Sequence, residues 1–458
     1  TRSYSVTGVR RVLFRSLATP PGVSSIAVIR LSGPESIIIT DKIFNGKIKL
    51  IDARSHTIHY GSIIQDSAII DDVTVSIFKS PNSYTGEDVI EISCHGNMII
   101  VNQILNALIQ NGANMAMPGE FTKRAFLNGK IDLSQAEAIA DIIHSQTHPG
   151  LITSERQLAG GFKNRIIELR KKLLDISSLL ELELDFSDED FEFINKDDII
   201  KMIKSTINYT KSLSNSYNTA QILRSGFFLA IAGYPNSGKS TLFNKLLQKS
   251  RAIVSHLPGT TRDYIEESVI INNIPIRIID TAGFRDTDDS IEIAGIKMAN
   301  SVMNQANMII VVNDITISPN HSDKLFNILK NNYTQADVIL VQNKIDLIKE
   351  FDELQIIPYH ISAKKDIGIE DIKNLITEKT QFNEDAVNDI LINQRQYLLL
   401  QTSTTYLENA LSSTKNNLPN EIISIDIKEA AKTFGELTGE NWNEDVLNNI
   451  FSRFCIGK

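Results

Sequence analysis

The chain has 458 residues, enough for two to four domains, and its 46 basic and 55 acidic side chains give a formal net charge of −9 at pH 7. This balance excludes a protein whose whole surface is basic and coats nucleic acid, although a local basic patch remains compatible with it. No apolar run reaches the roughly 18 residues of a membrane span, so we expect no transmembrane helix. Two isolated cysteines, Cys94 and Cys455, form neither a zinc motif nor a disulfide framework and favour a reducing compartment.

The first sixteen residues form a basic segment with four arginines and no acidic residue. Such composition is typical of organellar transit peptides. Because the chain does not open with methionine, we favour a cloning remnant or a misassigned start, and we leave this segment out of the fold prediction.

Residues 17 to about 128 have the pattern of an α+β domain. Strand-like runs at 25–31, 73–78 and 89–94 are separated by Gly- and Pro-rich turns, and residues 99–109 are predicted to form a helix. From about residue 132 to 223 the pattern is helical. Apolar residues at spacings of three and four predict one buried face of a long helix: Ile166, Leu169, Leu173, Ile176, Leu180 and Leu184. The acidic residues at 185–192 are predicted to form a solvated loop.

From residue 227 to about 379, apolar strands alternate with helical segments. The predicted strands are 227–233, 274–280, 308–313, 338–343 and 358–361. This alternation predicts a parallel sheet with helices on both faces. Because the pattern is helical again after residue 390, the simplest architecture inserts this α/β domain between two halves of one helical domain.

A phosphate-binding motif lies at the start of the α/β domain. Gly233-Tyr-Pro-Asn-Ser-Gly-Lys-Ser240 matches G-x-x-x-x-G-K-[ST] at every fixed position and joins an apolar strand to a helix. In this motif the backbone N–H groups of Asn236, Ser237 and Gly238 surround phosphates, Lys239 faces the β and γ oxygens, and Ser240 coordinates magnesium. Thr241 follows in the helix.

Two further motifs select the base. Asn343, Lys344 and Asp346 form N-K-x-D directly after a predicted strand, and the Asp346 carboxylate can accept the two N–H donors of guanine that adenine lacks. Ser362, Ala363 and Lys364 follow the next strand and resemble the loop that supports the base in GTPases.

The remaining GTPase elements are present in order. Asp280, Thr281, Ala282 and Gly283 form D-x-x-G after another strand, and Thr261 in GTTRD is the candidate second hydroxyl on magnesium. Phe284 stands where small GTPases often have a water-orienting glutamine, so another group must position the water. Asn236 offers a side-chain carbonyl oxygen that faces the phosphates. The default interpretation of Asn236 is an ordinary turn residue, and the alternative is a ligand of a monovalent cation.

Several longer segments extend the pattern beyond the GTPase motifs. They are ATPPG at 18–22, PNSYTGED at 81–88, PGEFT at 118–122, RAFLNGK at 124–130, QAEA at 135–138 and FCIGK at 454–458. Together with GTTRD and DTAG they resemble the tRNA modification GTPase family MnmE, also called TrmE, from about residue 17 to the end.

The resemblance implies a multidomain α+β and α/β fold. Its parts are an N-terminal folate-binding and dimerisation domain at 17–128, a discontinuous all-α helical domain at 129–223 and 382–458, and an inserted Ras-like P-loop GTPase domain at 224–381. It implies a homodimer, GTP hydrolysis with Mg²⁺ and stimulation by K⁺, and a heterotetramer with the FAD-containing partner MnmG (GidA). The product would be an aminomethyl-type group at C5 of the wobble uridine of certain tRNAs, made with a tetrahydrofolate derivative (5-formyl or 5,10-methylene). No membrane association is implied, and the location would be cytoplasmic, or an organellar matrix if the basic N-terminal segment is genuine.

The resemblance also implies roles for single residues. The K⁺ ligands would be Asn236 with Ser255, Leu257 and Thr260, of which Ser255 and Thr260 also face the nucleotide. Glu292 would orient the attacking water, with Arg285 as a switch arginine. The folate contacts would be Arg30, Glu91, Lys130 and Lys458, with Cys455 beside them. Without the family, Arg30 and Lys130 are interpreted as solvated surface charges.

Two other function classes agree less well with the sequence. A ribosome-assembly GTPase would use the same motifs as a binding switch, but such factors usually carry an RNA-binding module such as a KH domain, which the sequence does not show. A one-carbon-binding protein with a degenerate GTPase is disfavoured because Lys239, Ser240, Asp280 and Asp346 are intact.

Overall fold

A computed structural model describes residues 14–145, 147–185, 195–248, 265–280, 303–318, 321–348, 359–380, 392–440, 442, 444–452, 454 and 457. The chain divides into two compact units. The first contains residues 1–140, 163–170 and 434–458, and the second contains residues 141–162 and 171–433.

A seven-stranded sheet forms the centre of the first unit. Its elements are β1 (Phe14–Leu17), β2 (Ser24–Ser32), α1 (Ser36–Ile43), β3 (Phe44–Gly46), β4 (Thr57–Gln65), β5 (Ala68–Phe78), β6 (Val89–Gly96), α2 (Met98–Gln110), β7 (Asn114–Met115) and α3 (Glu120–Leu127). The strand order is β3-β4-β5-β6-β2-β1-β7. Alternate residues of β2 and β6 are buried against α1 and α2, because successive strand side chains point to opposite faces.

The end of the basic N-terminal segment, which was left out of the fold prediction, enters this sheet. Residues 14–16 do not lie outside the fold, since β1 pairs antiparallel with β2 and parallel with β7. Backbone hydrogen bonding along the edge of β2 outweighs the unfavourable burial of an arginine here, and Arg15 is 1% exposed. Residues 1–13 lie outside the described part of the chain.

Helices follow this sheet along the chain. They are α4 (Leu133–His144), α5 (His148–Leu158), α6 (Gly161–Asp185) and α7 (Lys196–Ser225). In α6 the predicted apolar face is buried from Ile166 to Leu180, whereas Leu184 is only partly buried. The predicted loop at 185–192 lies, apart from the backbone of Asp185, outside the described residues.

The α/β domain is a six-stranded sheet with helices on both faces. It contains β8 (Phe227–Ala232), α8 (Lys239–Gln248), β9 (Ile265–Ile271), β10 (Ile274–Asp280), β11 (Met308–Asp314), α9 (Asp323–Asn332), β12 (Asp337–Asn343), β13 (Tyr359–His360) and α10 (Ile369–Lys379). The strand order is β13-β12-β11-β8-β10-β9. One cluster of buried residues packs α8 and α10 on one face, and a second packs α9 on the other.

The five predicted strands of this sheet are parallel, but the sheet has a sixth strand, β9, that was not predicted. Strand β9 pairs antiparallel with β10, while the other neighbours are parallel. Asn272 and Asn273, both at positive φ (49° and 64°), form the two-residue turn between them. Two consecutive residues with positive φ match the twist of a tight hairpin, and asparagine tolerates this conformation better than most residues.

The last three helices are α11 (Gln394–Lys415), α12 (Asn420–Thr438) and α13 (Glu444–Phe451). Helix α11 packs antiparallel to α7, with the rings of Tyr217 and Tyr397 stacked 4.4 Å apart and the Thr404 hydroxyl 2.8 Å from that of Thr210. The α/β domain is thus inserted between two helices that pack together. Among the described residues, no helix is long and apolar enough to cross a bilayer.

Candidate functional site

The phosphate-binding loop connects β8 to α8 at the carboxyl end of the central strand. Gly233 has a φ of 147°, Asn236 a φ of 62° and Gly238 a φ of 99°, so three residues of this loop have positive φ. A Cβ atom at Gly238 would collide with the Asn343 side chain, so only glycine fits here. Ser240 and Thr241 lie in the first turn of α8.

Lys239 places its charge inside this loop. The residue is 8% exposed, and its Nζ donates to the carbonyl oxygens of Gly233 and Tyr234, both at 2.9 Å. A buried ammonium beside exposed backbone N–H groups is a favourable site for phosphate oxygens. The Ser237 hydroxyl is buried and has no hydrogen-bond partner among the described residues, so a further polar group at the loop is unsatisfied.

Asn343 joins two loops. Its Nδ2 donates to the Ser237 carbonyl oxygen at 2.8 Å, and its Oδ1 accepts from the Ala363 N–H at 3.0 Å. The side chain is therefore engaged with the phosphate loop and with the Ser362–Lys364 loop at once. The sequence motif identified Asn343, but its spacing did not show that this side chain joins the two loops.

Asp346 faces a defined set of donors. Its Oδ1 accepts from the Ser362 hydroxyl at 2.6 Å, Lys365 Nζ lies 3.7 Å from Oδ2, and the side chain is 6% exposed. The hydrogen bond from Ser362 is the main cause that holds the pKa of Asp346 below its usual value, with smaller contributions from Lys365 and Lys364. The carboxylate is thus charged at neutral pH and available as an acceptor.

Lys344 is oriented by a residue that the sequence analysis missed. Its φ is 69°, and its Nζ lies 2.5 Å from Oδ2 of Asp314, the last residue of β11. Burial alone raises the pKa of Asp314, but hydrogen bonds from Lys344 and Thr316 outweigh it and the pKa lies below the usual value. No short motif contains Asp314; its position at the carboxyl end of a parallel strand was the available signal.

Several predicted site residues lie outside the described part of the chain. They are Ser255, Leu257, Thr260, Thr261, Thr281, Ala282, Gly283, Arg285, Glu292, Cys455 and Lys458. Asp280 is placed only by its backbone, as the last residue of β10. The structure therefore brings together the residues of the phosphate loop, Asn343, Asp346 and the Ser362–Lys364 loop.

A second polar site lies on the sheet of the first unit. Arg30 on β2 is paired across the sheet with Glu91 on β6, and its Nη2 lies 2.6 Å from Glu91 Oε1. Arg30 Nη1 also donates to the Gly457 carbonyl oxygen at 3.2 Å. The guanidinium carbon lies 5.7 Å from the ring centre of Tyr84 and 5.6 Å from that of Phe121. The site therefore combines an ion pair with two aromatic rings.

Lys130 lies beside the loop that carries Tyr84. Its Nζ donates to the Pro81 carbonyl oxygen at 3.1 Å in an exposed contact. Tyr84 is fixed by a 2.8 Å hydrogen bond between its hydroxyl and that of Thr122, and burial raises the pKa of Tyr84. Lys130 and the Arg30–Glu91 pair thus lie on either side of one loop. Among the described residues, no hydrogen bond joins Lys130 to either of them.

A charged network that the sequence analysis did not assign supports this loop. The Arg124 side chain, 8% exposed, forms ion pairs with Glu87 at 3.1 Å and Glu120 at 3.2 Å. Ser32 donates to Glu87 at 3.0 Å. Within the described residues no group of three or more His, Cys, Asp or Glu side chains is arranged to hold a metal ion.

Comparison with known proteins identifies the family. The MnmE helical domain model matches residues 133–455, and the TrmE N-terminus model matches residues 14–130. The chain belongs to the MnmE family. The tRNA modification GTPase MnmE of Cytophaga hutchinsonii is 41% identical over 97% of both chains. Its counterpart in Flavobacterium johnsoniae is 42% identical over 97% of this chain and 98% of the relative.

Among solved structures, the G domain of the T. maritima FeoB iron transporter is 29% identical with a TM-score of 0.27, covering 34% of this chain and 98% of that one. The family match confirms the predicted resemblance and the fold class: an N-terminal α+β domain, a discontinuous helical domain and an inserted P-loop GTPase domain. The chain is accordingly a GTPase of the tRNA modification type.

Proposed function

We propose that this chain hydrolyses GTP with K⁺ stimulation and, with the FAD-dependent partner MnmG, installs an aminomethyl-type group at C5 of the wobble uridine, position 34, of certain tRNAs. The observation that carries the proposal is the joint geometry of Lys239, Asn343 and Asp346 in a chain of the MnmE family. A buried ammonium at the phosphate loop and a charged carboxylate at the base loop are linked through one amide side chain.

Guanine selection rests on Asp346. A carboxylate fixed by Ser362 accepts two N–H donors from guanine, whereas adenine offers no such pair and leaves the carboxylate unsatisfied. Lys344, held by Asp314, borders the same site. The GTP contacts are proposed for the complete set of residues predicted from the motifs.

Cation binding is proposed at the phosphates. Asn236 is exposed on the loop in the left-handed conformation, with its carboxamide free of any hydrogen bond in the described part of the chain. Its oxygen is suited to bind K⁺, and Ser255, Leu257 and Thr260 are proposed to supply the other K⁺ ligands. Ser240 and Thr261 are proposed to hold Mg²⁺, which supplies positive charge against the phosphates. Glu292 and Arg285 are proposed as the catalytic residues.

A tetrahydrofolate derivative is proposed to bind at the Arg30 site. Glu91 offers carboxylate oxygens for the N–H donors of a pterin, and Tyr84 and Phe121 offer ring surface beside them. Lys130 and Lys458 are suited to the carboxylates of the glutamyl tail. Cys455 is proposed to lie near the one-carbon unit. We further propose a homodimer, a heterotetramer with MnmG and a cytoplasmic location.

The decisive experiment compares tRNA nucleosides by mass spectrometry in cells with and without the gene. Loss of the C5-modified wobble uridine, restored by the wild type but not by Glu292→Ala, is the expected result. Lys432→Gln, an exposed change on α12, serves as the matched control and is expected to restore the nucleoside. An unchanged nucleoside profile in the deletion strain would contradict the proposal and favour a ribosome-assembly switch.

A further inference from the structure

The paired helices α7 and α11 expose a surface whose charge differs from that of the whole chain. Helices α7 (Lys196–Ser225) and α11 (Gln394–Lys415) together contain seven basic residues and three acidic residues, although the chain has a net charge of −9. Because net charge elsewhere is strongly negative, this is a local concentration of positive charge. An oligoanion approaching the protein is steered toward such a region.

The exposed side chains of residues 201–215 and 401–415 are here named the α7–α11 face. Its lysines are Lys201, Lys204 and Lys211 on α7 and Lys415 on α11. Glu408 is its acidic residue, and every other exposed residue in these two stretches is Ser, Thr, Asn or Gln. Spacings of three and seven residues place the α7 lysines on one side of the helix, and Lys201 and Lys211 are about 15 Å apart along its axis.

The existing ion pairs of this face are weak. Lys211 Nζ lies 2.7 Å from Glu408 Oε1, with the side chains 57% and 51% exposed. Lys201 Nζ lies 3.4 Å from Asp198 Oδ1, with side chains 78% and 68% exposed. Exposed pairs of this kind contribute little to stability, so each lysine readily exchanges its partner for another anion. All four lysines are therefore accessible to a ligand.

We propose that the α7–α11 face binds the sugar–phosphate backbone of the tRNA; this rests on the proposed function. Lysine ammonium groups together with Ser, Thr, Asn and Gln side chains are the groups that contact phosphates without reading bases. The face exposes no large apolar side chain, which a protein partner would need as an anchor at the centre of an interface. A nucleic-acid backbone therefore fits the surface better than an acidic protein does.

The test uses the full-length protein and a fluorescently labelled, unmodified tRNA transcript with uridine at the wobble position. One variant neutralises the face: Lys201→Gln, Lys204→Gln, Lys211→Gln and Lys415→Gln. The matched control neutralises four exposed lysines elsewhere: Lys42→Gln, Lys47→Gln, Lys324→Gln and Lys330→Gln. Both variants change the net charge by the same amount, so a difference between them reports the location of the charges. Anisotropy is measured as a function of salt.

We expect the face variant to bind tRNA at least about tenfold more weakly at 0.1 M salt. The slope of log affinity against log salt concentration should become shallower by an amount that corresponds to the loss of about two or more phosphate contacts. The control variant is expected to stay within about twofold of wild type. GTP hydrolysis by both is expected to be unchanged. Equal losses in the two variants would overturn the assignment, as would a face variant that keeps its tRNA affinity but no longer binds the MnmG partner.

Ultraviolet cross-linking of the wild-type protein to the same transcript decides the matter if the face variant does not fold. Nucleotides attached to peptides from 201–215 or 401–415 support the proposal, and attachment confined to other peptides contradicts it. This readout is separate from the proposed function. If the wild-type protein binds tRNA through this face but its gene restores no wobble nucleoside, only the proposed function is contradicted.

Discussion

Arg224 joins the points at which the chain enters and leaves the GTPase domain. Its Nη2 lies 2.6 Å from Asp141 Oδ2 on α4, and its Nη1 donates to the Ile392 carbonyl oxygen at 2.8 Å. Arg224 lies three residues before the first residue of β8, and Ile392 lies two residues before the first residue of α11. One guanidinium therefore fixes both connections, beside a cavity of about 40 Å³ that Asp141, His144 and Gln157 also line.

Removing one partner of this pair is expected to destabilise the helical part of the chain. The Arg224 and Asp141 side chains are 26% and 19% exposed. Arg224→Gln leaves a half-buried carboxylate and a carbonyl without their strongest donor, so we expect a loss of about 1–3 kcal/mol. Urea unfolding followed by circular dichroism measures it. Lys432→Gln breaks an exposed pair and is expected to cost less than about 0.5 kcal/mol; equal losses would contradict the prediction.

Asp346→Asn is expected to change the base preference from guanine to xanthine. The asparagine amide keeps an acceptor for Ser362 but offers an N–H donor where guanine also has one, so GTP affinity should fall about 100-fold or more. Xanthine, which has a carbonyl at that position, should then bind more tightly than guanine. Competition titrations with GDP and XDP measure this ratio. Lys365→Gln, which removes only the 3.7 Å contact, is the control and should keep guanine preference.

The same carboxylate predicts a pH profile for nucleotide binding. The folded pKa of Asp346 is depressed, so its contribution is complete above the normal carboxyl range and is lost only as pH falls through the lowered pKa. GDP affinity is therefore expected to be flat from about pH 6 to 8 as far as this group is concerned, with losses confined to acid conditions. A titratable step near pH 6 that persists after Asp346→Asn would assign the step to another group.

Arg15 is expected to destabilise the N-terminal sheet. Its Nε and Nη1 atoms are buried and have no hydrogen-bond partner among the described residues, and burial lowers its pKa to about 10. Because the pKa of Arg15 is lower in the folded protein, its charged form destabilises the fold. This destabilisation is fully present at neutral pH and is relieved only above about pH 10. Arg15→Val should stabilise the sheet by about 1–4 kcal/mol. Slower amide hydrogen exchange in β1 and β2 would show this stabilisation. Ser16→Ala, a small substitution at the next position, is the control.

Cys94 is expected to be inert in the folded protein. Burial, with a smaller contribution from Asp71, raises the pKa of its thiol to about 11. At pH 8 only about one thiol in 1,000 is then ionised, so alkylation by iodoacetamide should be slower than for a free thiol by about 100-fold or more. Mass spectrometry of the alkylated peptides, before and after unfolding, separates Cys94 from Cys455. Rapid native labelling at Cys94 would contradict the burial.

Sequence patterns predicted the parts of the fold that depend on local periodicity. Strands β2, β6 and β10 and the buried face of α6 follow from alternation or three-to-four spacing, which burial imposes directly. Strand β9 escaped detection because Asn272-Asn273 is a weaker hairpin signal than Asn-Gly. Strand β1 was not predicted because residues 1–16 were left out of the fold prediction; its structure depends on pairing with β2 and β7.

The candidate site shows the same division. Motifs identified Lys239, Asn343 and Asp346 because phosphate and base recognition impose fixed spacings. Asp314 binds Lys344, and Arg124 binds Glu87 in addition to its helix neighbour Glu120. No local pattern records the contacts with Lys344 and Glu87, which are distant in sequence. Arg30 and Glu91 were named from the family resemblance alone, and their pairing was not predicted, because the cross-strand register is visible only once the sheet is assembled.

The amide of Asn343 also has a thermodynamic consequence. Since one side chain holds the Ser237 carbonyl and the Ala363 N–H, ordering either loop reduces the conformational freedom still to be lost by the other. A nucleoside without phosphates and a triphosphate without a base would each bear the full ordering cost alone. The intact nucleotide bears it once, so the two halves of GTP are bound cooperatively, and by reciprocity each half reports on the other.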